Sequence, residues 1–178
     1  IIQESIGILD NNNIARKDKI VTFQRNMSKN ADFEYLSKLT FLKSSNFKLK
    51  SYFKRYQNVF QKYYTHFFQL SSLALLPGNS LGVWIYVNFI RKTATGKFEI
   101  NFNLKHKGVN TEYTFILNKD MVIQRILVSG MDLVDFYRVC MEDLFLKCNQ
   151  NVKLFIKQLK KKNDALFEQA LRCNLGDK

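Results

Sequence analysis

Apolar and polar residues alternate through the middle of the chain, which predicts consecutive β-strands over 84–92, 97–106, 111–118 and 121–130. The second strand alternates without a fault, and its polar face carries Glu99, Asn101, Asn103 and Lys105. A period of two with one polar face is typical of an antiparallel sheet that is covered on one side only. We therefore expect a four-stranded antiparallel sheet within 83–130, with helices on its apolar face.

Helical spacing of apolar residues predicts helices on both sides of this sheet. Residues 1–30 predict two short helices that break at an Asn run, and 31–76 are expected to be helical. Asp32 stands where a helix N-cap belongs, and Asp132 does the same after the last strand. Residues 132–172 then predict C-terminal helices, with a helix over 152–162 followed by one or two turns. The pattern as a whole predicts an α+β fold in a single domain over 1–178.

The helix predicted from about Phe47 to Leu70 is unusually aromatic, with nine Phe and Tyr residues between Phe47 and Phe68. Its apolar stripe is wide, which indicates contact on two sides, with the sheet and with another helix. Two interpretations stay open. The helix either packs entirely as core, or part of its aromatic face lines a cavity.

Charge and composition narrow the function classes. The 178 residues carry a formal net charge of +13 at pH 7, which favours an anionic partner such as nucleic acid, a membrane surface or an acidic protein. Hydrophobic residues make up 46% of the chain and there is a single Pro, both typical of a compact globular body. No apolar run is long enough for a membrane-spanning helix.

The sequence offers no catalytic constellation, so we expect a protein that is not an enzyme. His66 and His106 lie in unrelated segments without a nearby metal-ligand or nucleophile pattern, and no phosphate-binding Gly motif occurs. Cys140, Cys148 and Cys173 have no metal-site spacing and are expected to be small buried hydrophobes or loose thiols. We expect no cofactor and no metal.

Two hypotheses for function remain. One is a carrier whose apolar sheet face and aromatic helix enclose a pocket for lipid tails. Exposing two acyl chains of roughly 15 methylenes to water costs about 20–25 kcal/mol, so burying them is sufficient as a mechanism. The alternative is a basic interaction module with a filled core that binds nucleic acid or an acidic protein partner. The second strand offers amides rather than stacking aromatics, so nucleic acid is the less favoured partner.

Several short motifs resemble the MlaC family of periplasmic phospholipid-binding proteins, also called toluene-tolerance auxiliary proteins. The run Val128–Val134 followed by Tyr137-Arg138 is similar to the family passage "EGVSLV…YR". The run Asp32–Leu39 resembles its "DFE" helix start, and 52–68 resembles its aromatic helix. The closing "I-x-x-L" helix is matched at 153–162. The resemblance covers about 30–163, with departures from the family pattern at Met121, Arg125, Ser129 and Asp132.

The resemblance implies an NTF2-like body that encloses acyl chains in an apolar pocket while the headgroup faces water. Phospholipid is then cargo rather than cofactor. The implied partners are an inner-membrane ABC transporter complex, an outer-membrane lipoprotein complex and, transiently, an anionic membrane surface. It also implies a monomer, periplasmic localisation after removal of a signal peptide, and a role in outer-membrane lipid asymmetry, with no nucleic acid partner.

By position in the predicted elements, we expect a set of apolar side chains from the sheet and the helices to face the acyl chains. Each of them could instead be ordinary core. These residues are Phe60, Tyr64, Phe67, Phe98, Ile100, Phe102, Leu104, Tyr113, Phe115, Leu117, Ile126, Val128, Leu133 and Tyr137.

Overall fold

The computed structural model describes residues 15–41, 50–75, 84–106 and 108–172. Its helices are α1 (Arg16–Asn30), α2 (Phe33–Thr40), α3 (Lys50–Leu75), α4 (Leu133–Lys147) and α5 (Val152–Arg172). Its strands are β1 (Trp84–Lys92), β2 (Phe98–His106), β3 (Val109–Leu117), β4 (Ile123–Val128) and β5 (Met131–Asp132). The strands form an open antiparallel sheet in the order β1-β2-β3-β4-β5.

The α+β fold predicted from the sequence is confirmed, and the open antiparallel sheet with its helices is consistent with the predicted NTF2-like architecture. The predicted number of four strands is wrong within the described residues. A fifth, two-residue strand forms because the turn at Ser129 and Gly130 adopts φ angles of 49° and 80°. This left-handed backbone brings Met131 alongside Val128 and adds β5 to the sheet.

Both predicted helix caps are confirmed. The Asp32 carboxylate accepts a hydrogen bond from the backbone N–H of Tyr35 at 3.0 Å, and α2 begins there. The Asp132 carboxylate accepts from the backbone N–H of Val134 at 2.8 Å, and α4 begins there. Each cap satisfies a backbone donor that the first helical turn leaves unpaired, which is worth about 1 kcal/mol.

The helix boundaries depart from the sequence prediction at two places. The first described helix, α1, is continuous from Arg16, while the expected helix and break before residue 15 lie outside the described residues. The C-terminal segment is one helix, α5, without a break near 163. Asn163 is buried in α5, where its side chain meets His66 of α3, so a tertiary contact keeps a weak helix former inside the helix.

The interior is organised around α3. Its residues Tyr56, Phe60 and Tyr64 follow one another at four-residue steps and are fully buried. The Tyr56 ring lies 6.0 Å from the ring of Phe155 in α5, and the Tyr64 ring lies 4.7 Å from the ring of Tyr137 in α4. The principal neighbours of α3 are helices, with α5 the most extensive, and so its wide aromatic stripe is used mainly between helices.

The outer face of the sheet, which points away from the helices, is polar but not simply solvated. Asn101 is buried there, although its alternation in β2 assigns it to the polar face. Its side-chain amide donates to Glu112 and to Thr114, both at 2.7 Å, and its oxygen accepts from Asn88 at 2.6 Å. These contacts join β1, β2 and β3 across the outer face, and both the amide nitrogen and the oxygen of the Asn101 side chain have partners.

Two buried tyrosines differ in what their hydroxyls touch, and this predicts different effects of removing them. The Tyr56 hydroxyl shares a 2.8 Å hydrogen bond with the Thr40 hydroxyl, whereas the Tyr64 hydroxyl has no hydrogen-bond partner among the described residues. We expect Tyr56→Phe to lower the free energy of unfolding by about 1 kcal/mol. Tyr64→Phe is expected to leave it unchanged or to raise it, because a buried hydroxyl without a partner is costly.

Urea unfolding of the two variants checks this pair, with each serving as the packing control for the other because both keep the ring. An equal loss of stability in Tyr64→Phe would contradict the expectation.

Candidate functional site

The helices cover the inner face of the sheet unevenly. The helices α2 and α4 both pack on β4, at one end of the sheet. At the other end, β1 contacts mainly β2, and its residues are exposed along almost the whole strand. The helical layer of the described residues therefore lies mainly over β4, and it covers less of the inner face towards β1.

Apolar side chains continue on the inner face beyond this cover. The strand register places Val87 opposite Phe102 and Ile90 opposite Ile100, so these β1 side chains share the inner face with the apolar residues of β2. Val87 is 58% and Ile90 64% exposed, although both are aliphatic. We call the inner-face residues at this margin the inner strip: Val87, Ile90, Phe98, Ile100 and Leu104.

The predicted tail-facing residues fall into two groups. Phe98, Ile100 and Leu104, together with Val128, are half-buried and pack at the margin of the core. The other group is buried in the core itself: Phe60, Tyr64, Phe102, Tyr113, Phe115, Leu117, Ile126, Leu133 and Tyr137. Phe67 belongs to α3, but its side chain lies outside the described residues.

The buried group makes close ring contacts. Phe60 lies 6.0 Å from Tyr137 in an edge-to-face arrangement, and Phe102 is stacked on Tyr113 at 5.4 Å. Phe102 also meets Phe115 edge-on at 5.2 Å. At these distances the rings are in mutual contact. These side chains therefore pack on one another, whereas the half-buried residues of the inner strip still expose part of their apolar surface.

Sequence reasoning missed Val87 and Ile90. The signal was present, because the predicted first strand is apolar at nearly every position from Trp84 to Ile90. A strand with apolar side chains on both faces is normally buried on both faces. Here it stands at the sheet edge instead, and its exposure is decided only by where the helices pack.

A small polar cluster lies at the N-terminal end of α4. Arg125 Nε is 3.1 Å from Asp132 Oδ2, without the angle of a hydrogen bond, and forms an ion pair with it. Burial, and then the nearby Asp132 carboxylate, raise the pKa of the Tyr64 hydroxyl above its ordinary value. Tyr64 is therefore neutral at physiological pH. The cluster has charge and hydrogen-bonding groups but no nucleophile or general base directed at an open site.

A second polar region joins α1, α3 and α5. His66 is buried, with Nδ1 2.5 Å from the side-chain oxygen of Asn163 and Nε2 against the side-chain amide nitrogen of Gln24. An oxygen at Nδ1 and an amide donor at Nε2 fit the neutral imidazole with its proton on Nδ1. Burial lowers the pKa of His66, and Lys62 acts in the same direction, while Asn163 and Asp164 oppose them.

Next to this region, a surface groove of about 400 Å³ opens between α1 and α3. Its lining is mostly polar, and several of its groups bond to one another: Gln61 donates to Ser28 at 2.6 Å, and Gln24 contacts His66. The lining residues are Val21, Gln24, Arg25, Ser28, Asn58, Gln61, Lys62 and Thr65. Val21 is the one aliphatic residue among them, so the side chains of this groove do not favour a lipid tail.

Metal and thiol chemistry find no support in the described part of the chain. No group of three or more His, Cys, Asp and Glu side chains there could hold a metal ion. Cys148 is a buried free thiol, as expected of a small hydrophobe, and Cys140 is half-buried and free. Burial raises the pKa of the Cys140 thiol, and Cys173 lies outside the described residues. Among the described helices, none has the length and apolar character needed to span a bilayer.

Comparison with known proteins shows the fold. No protein-family model matches the sequence, and no curated protein matches it. A solved structure with a similar fold is that of a phospholipid-binding protein from Ralstonia solanacearum in complex with a phospholipid. The two chains share 15% sequence identity and superpose with a TM-score of 0.65 over 84% of this chain and 83% of the other.

The environment of His66 predicts a pH dependence of stability. Because the folded protein holds His66 at a lowered pKa, the unfolded chain binds the proton more readily around pH 6.5 and below. The free energy of unfolding should therefore fall as the pH is lowered from 7.5 to 5.5, through the pKa that His66 has in the unfolded chain. We expect His66→Gln to flatten this slope, as measured by the melting temperature across that pH range.

His106 is the other histidine of the chain, so His106→Gln removes the same kind of titratable group elsewhere and is the matched control. If His66→Gln keeps the full acid dependence, the titration belongs to other groups.

Proposed function

We propose that this protein is a phospholipid carrier that binds lipid by its acyl chains, without catalysis. The observation that carries the proposal is the inner strip, where an apolar sheet face extends beyond the helices that cover the rest of it. Apolar surface of this kind, continuous with a core and left open at one margin, fits a ligand that is itself apolar. The fold shared with a phospholipid-binding protein that holds a phospholipid supports the same ligand class.

The inner strip and the buried aromatic group have different roles in this proposal. Phe98, Ile100 and Leu104 already touch the core with part of their surface, and Val87 and Ile90 extend it outwards. Acyl chains laid along this strip would gain contact with both strands. The buried aromatic group around Phe60 and Tyr137 forms the floor behind the chains and holds the helical layer in place.

The energetics of such a carrier follow from the cost of hydrating the tails. At about 0.8 kcal/mol per methylene, even a partial cover of each chain gives a favourable binding term of several kcal/mol. The headgroup needs no buried partner, because it remains in water at the open margin. No bond is made or broken, so a site without a nucleophile or metal is sufficient.

The wider biological role is part of the proposal. We infer a periplasmic protein that exchanges phospholipid with an inner-membrane ABC transporter complex and an outer-membrane lipoprotein complex, as the resemblance to the MlaC family implies. The cationic surface, with a net charge of +13, would keep such a carrier near anionic lipid surfaces.

Lipid extraction tests the carrier function directly. Protein purified from bacteria should yield about one phospholipid per chain when extracted with organic solvent and analysed by mass spectrometry. A double variant, Val87→Asp with Ile90→Asp, should lower the lipid content about tenfold or more, because carboxylates on the strip penalise an apolar ligand. Both positions are exposed, so the variant should keep its melting temperature within a few degrees.

Val139→Asp with Leu146→Asp is the matched control, since these aliphatic residues on α4 are 61% and 62% exposed and lie away from the sheet margin. The control should retain its lipid. A lipid-free wild type with strongly salt-dependent binding to generic DNA or RNA would instead support the basic interaction module. The inner-face residue Phe102 is not suitable for this test, because it is buried in the core and Phe102→Glu would place a charge there that destabilises the fold.

A further inference from the structure

The outer face of β1 carries an exposed aromatic cluster that the carrier function does not use. Trp84, Tyr86 and Phe89 pair in register with β2 residues of the polar face, so they point away from the helices. Trp84 is 61% and Tyr86 53% exposed, and Phe89 is exposed as well. We call these three residues the outer patch.

The outer patch and the inner strip lie on opposite faces of the same edge strand. Val87 and Ile90 are exposed on the inner face, and Trp84 and Tyr86 on the outer face. In the described part of the chain, β1 stands at the end of the sheet and pairs with β2 alone. The edge strand therefore exposes apolar side chains on both faces of the sheet.

Cations surround this edge. Arg91, Lys92 and Lys105 are exposed, and the Arg91 guanidinium lies 4.9 Å from the centre of the Phe89 ring. Arg91 also pairs with Glu99 at 2.8 Å, so the net positive charge comes from Lys92 and Lys105. Trp and Tyr beside Lys and Arg are typical of protein surfaces that lie in the interfacial layer of a bilayer.

We propose that the free edge of β1 docks on the surface of an anionic phospholipid bilayer, with the outer patch in the headgroup layer. Docking in this way brings the inner strip to the membrane, so that acyl chains can pass between bilayer and protein along the apolar margin. The passage of lipid rests on the proposed carrier function, whereas the docking itself can be measured separately.

Two other occupants fit the edge less well. A second copy of this chain would pair edge to edge, but β1 has a bulge at Asn88, and bulges and lysines oppose such pairing. Single-stranded nucleic acid could stack on the aromatics of the outer face, but it would leave the exposed aliphatic side chains of Val87 and Ile90, on the opposite face of the same strand, without a partner. The lysines together with apolar side chains on both faces favour a lipid surface.

The chain contains one tryptophan, so its fluorescence reports directly on the proposed surface. Wild-type protein is titrated with phosphatidylcholine vesicles and with vesicles of phosphatidylcholine and phosphatidylglycerol, and both emission and co-sedimentation are followed. We expect a blue shift and co-sedimentation with the anionic vesicles, both weakened by added salt. Unchanged emission without co-sedimentation would overturn the proposal, as would equal binding to both vesicle types.

A variant with Trp84→Ala and Tyr86→Ala should bind anionic vesicles about tenfold or more weakly in co-sedimentation. Val139→Ala with Leu146→Ala removes exposed aliphatic side chains on α4 and should bind like the wild type. Equal loss in both variants would overturn the proposal. Dimers in sedimentation that bury Trp84 without vesicles would identify a second copy as the occupant, and tighter binding to single-stranded RNA than to vesicles would identify nucleic acid.

Lipid extraction of the same variants separates this proposal from the carrier function. The outer-patch variant should keep its co-purified phospholipid while losing vesicle binding, because its substitutions lie on the other face of β1. Vesicle binding by a lipid-free wild type would leave the docking in place and remove the carrier function. Co-purified lipid without vesicle binding would leave the carrier function in place and overturn the docking.

Discussion

The packing of α3 among the other helices is the interaction on which the rest of the structure depends. Tyr56, Phe60 and Tyr64 place their rings against α2, α4 and α5, so the helical layer is held together by its own aromatic contacts. Its main contacts with the sheet are made through α2 and α4, both on β4. A layer anchored at one end of a sheet leaves the other end uncovered, and the exposed margin at β1 and β2 follows from that geometry.

This arrangement gives the two ends of the sheet different properties. At β4 the side chains of Ile123 and Ile126 are fully buried, and polar groups at the neighbouring helix starts are paired, as where the Asp32 N–H donates to Ile123 and Asp132 caps α4. At β1 aliphatic and aromatic side chains meet water on both faces. An apolar edge strand is a risk for aggregation, which proteins normally limit by charge and bulges. Here Lys92 and the bulge at Asn88 provide that protection, while the apolar side chains remain available for a lipid.

One contact joins Arg125 and Asp132, two positions at which the sequence departs from the MlaC motifs that it resembles. The family carries an acidic residue within its last long strand and a serine after the turn, where this chain has Arg125 and Asp132. In the structure these two residues form an ion pair at 3.1 Å. Removing one partner would leave the other charge poorly satisfied, so the pair has to be considered together. Asp132 also provides the helix cap, which a serine would provide equally well.

The sequence by itself determined the local features of this protein: the alternation of β2, the caps at Asp32 and Asp132, and the aromatic stripe of α3. These features depend on backbone geometry and on periods of two or 3.6 residues, so they can be recognised from residues that are close together in the sequence. Only the tertiary structure decided which apolar residues are enclosed. Phe102 and Ile100 are equivalent in the pattern of β2, yet one is buried and the other half-exposed, because burial depends on how far a helical layer reaches across the sheet. The exposure of Val87 and Ile90 likewise arises from the position of β1 at the edge of the sheet. The partners of His66 were also decided by the tertiary structure, because they lie in two other helices, 42 and 97 residues away along the sequence.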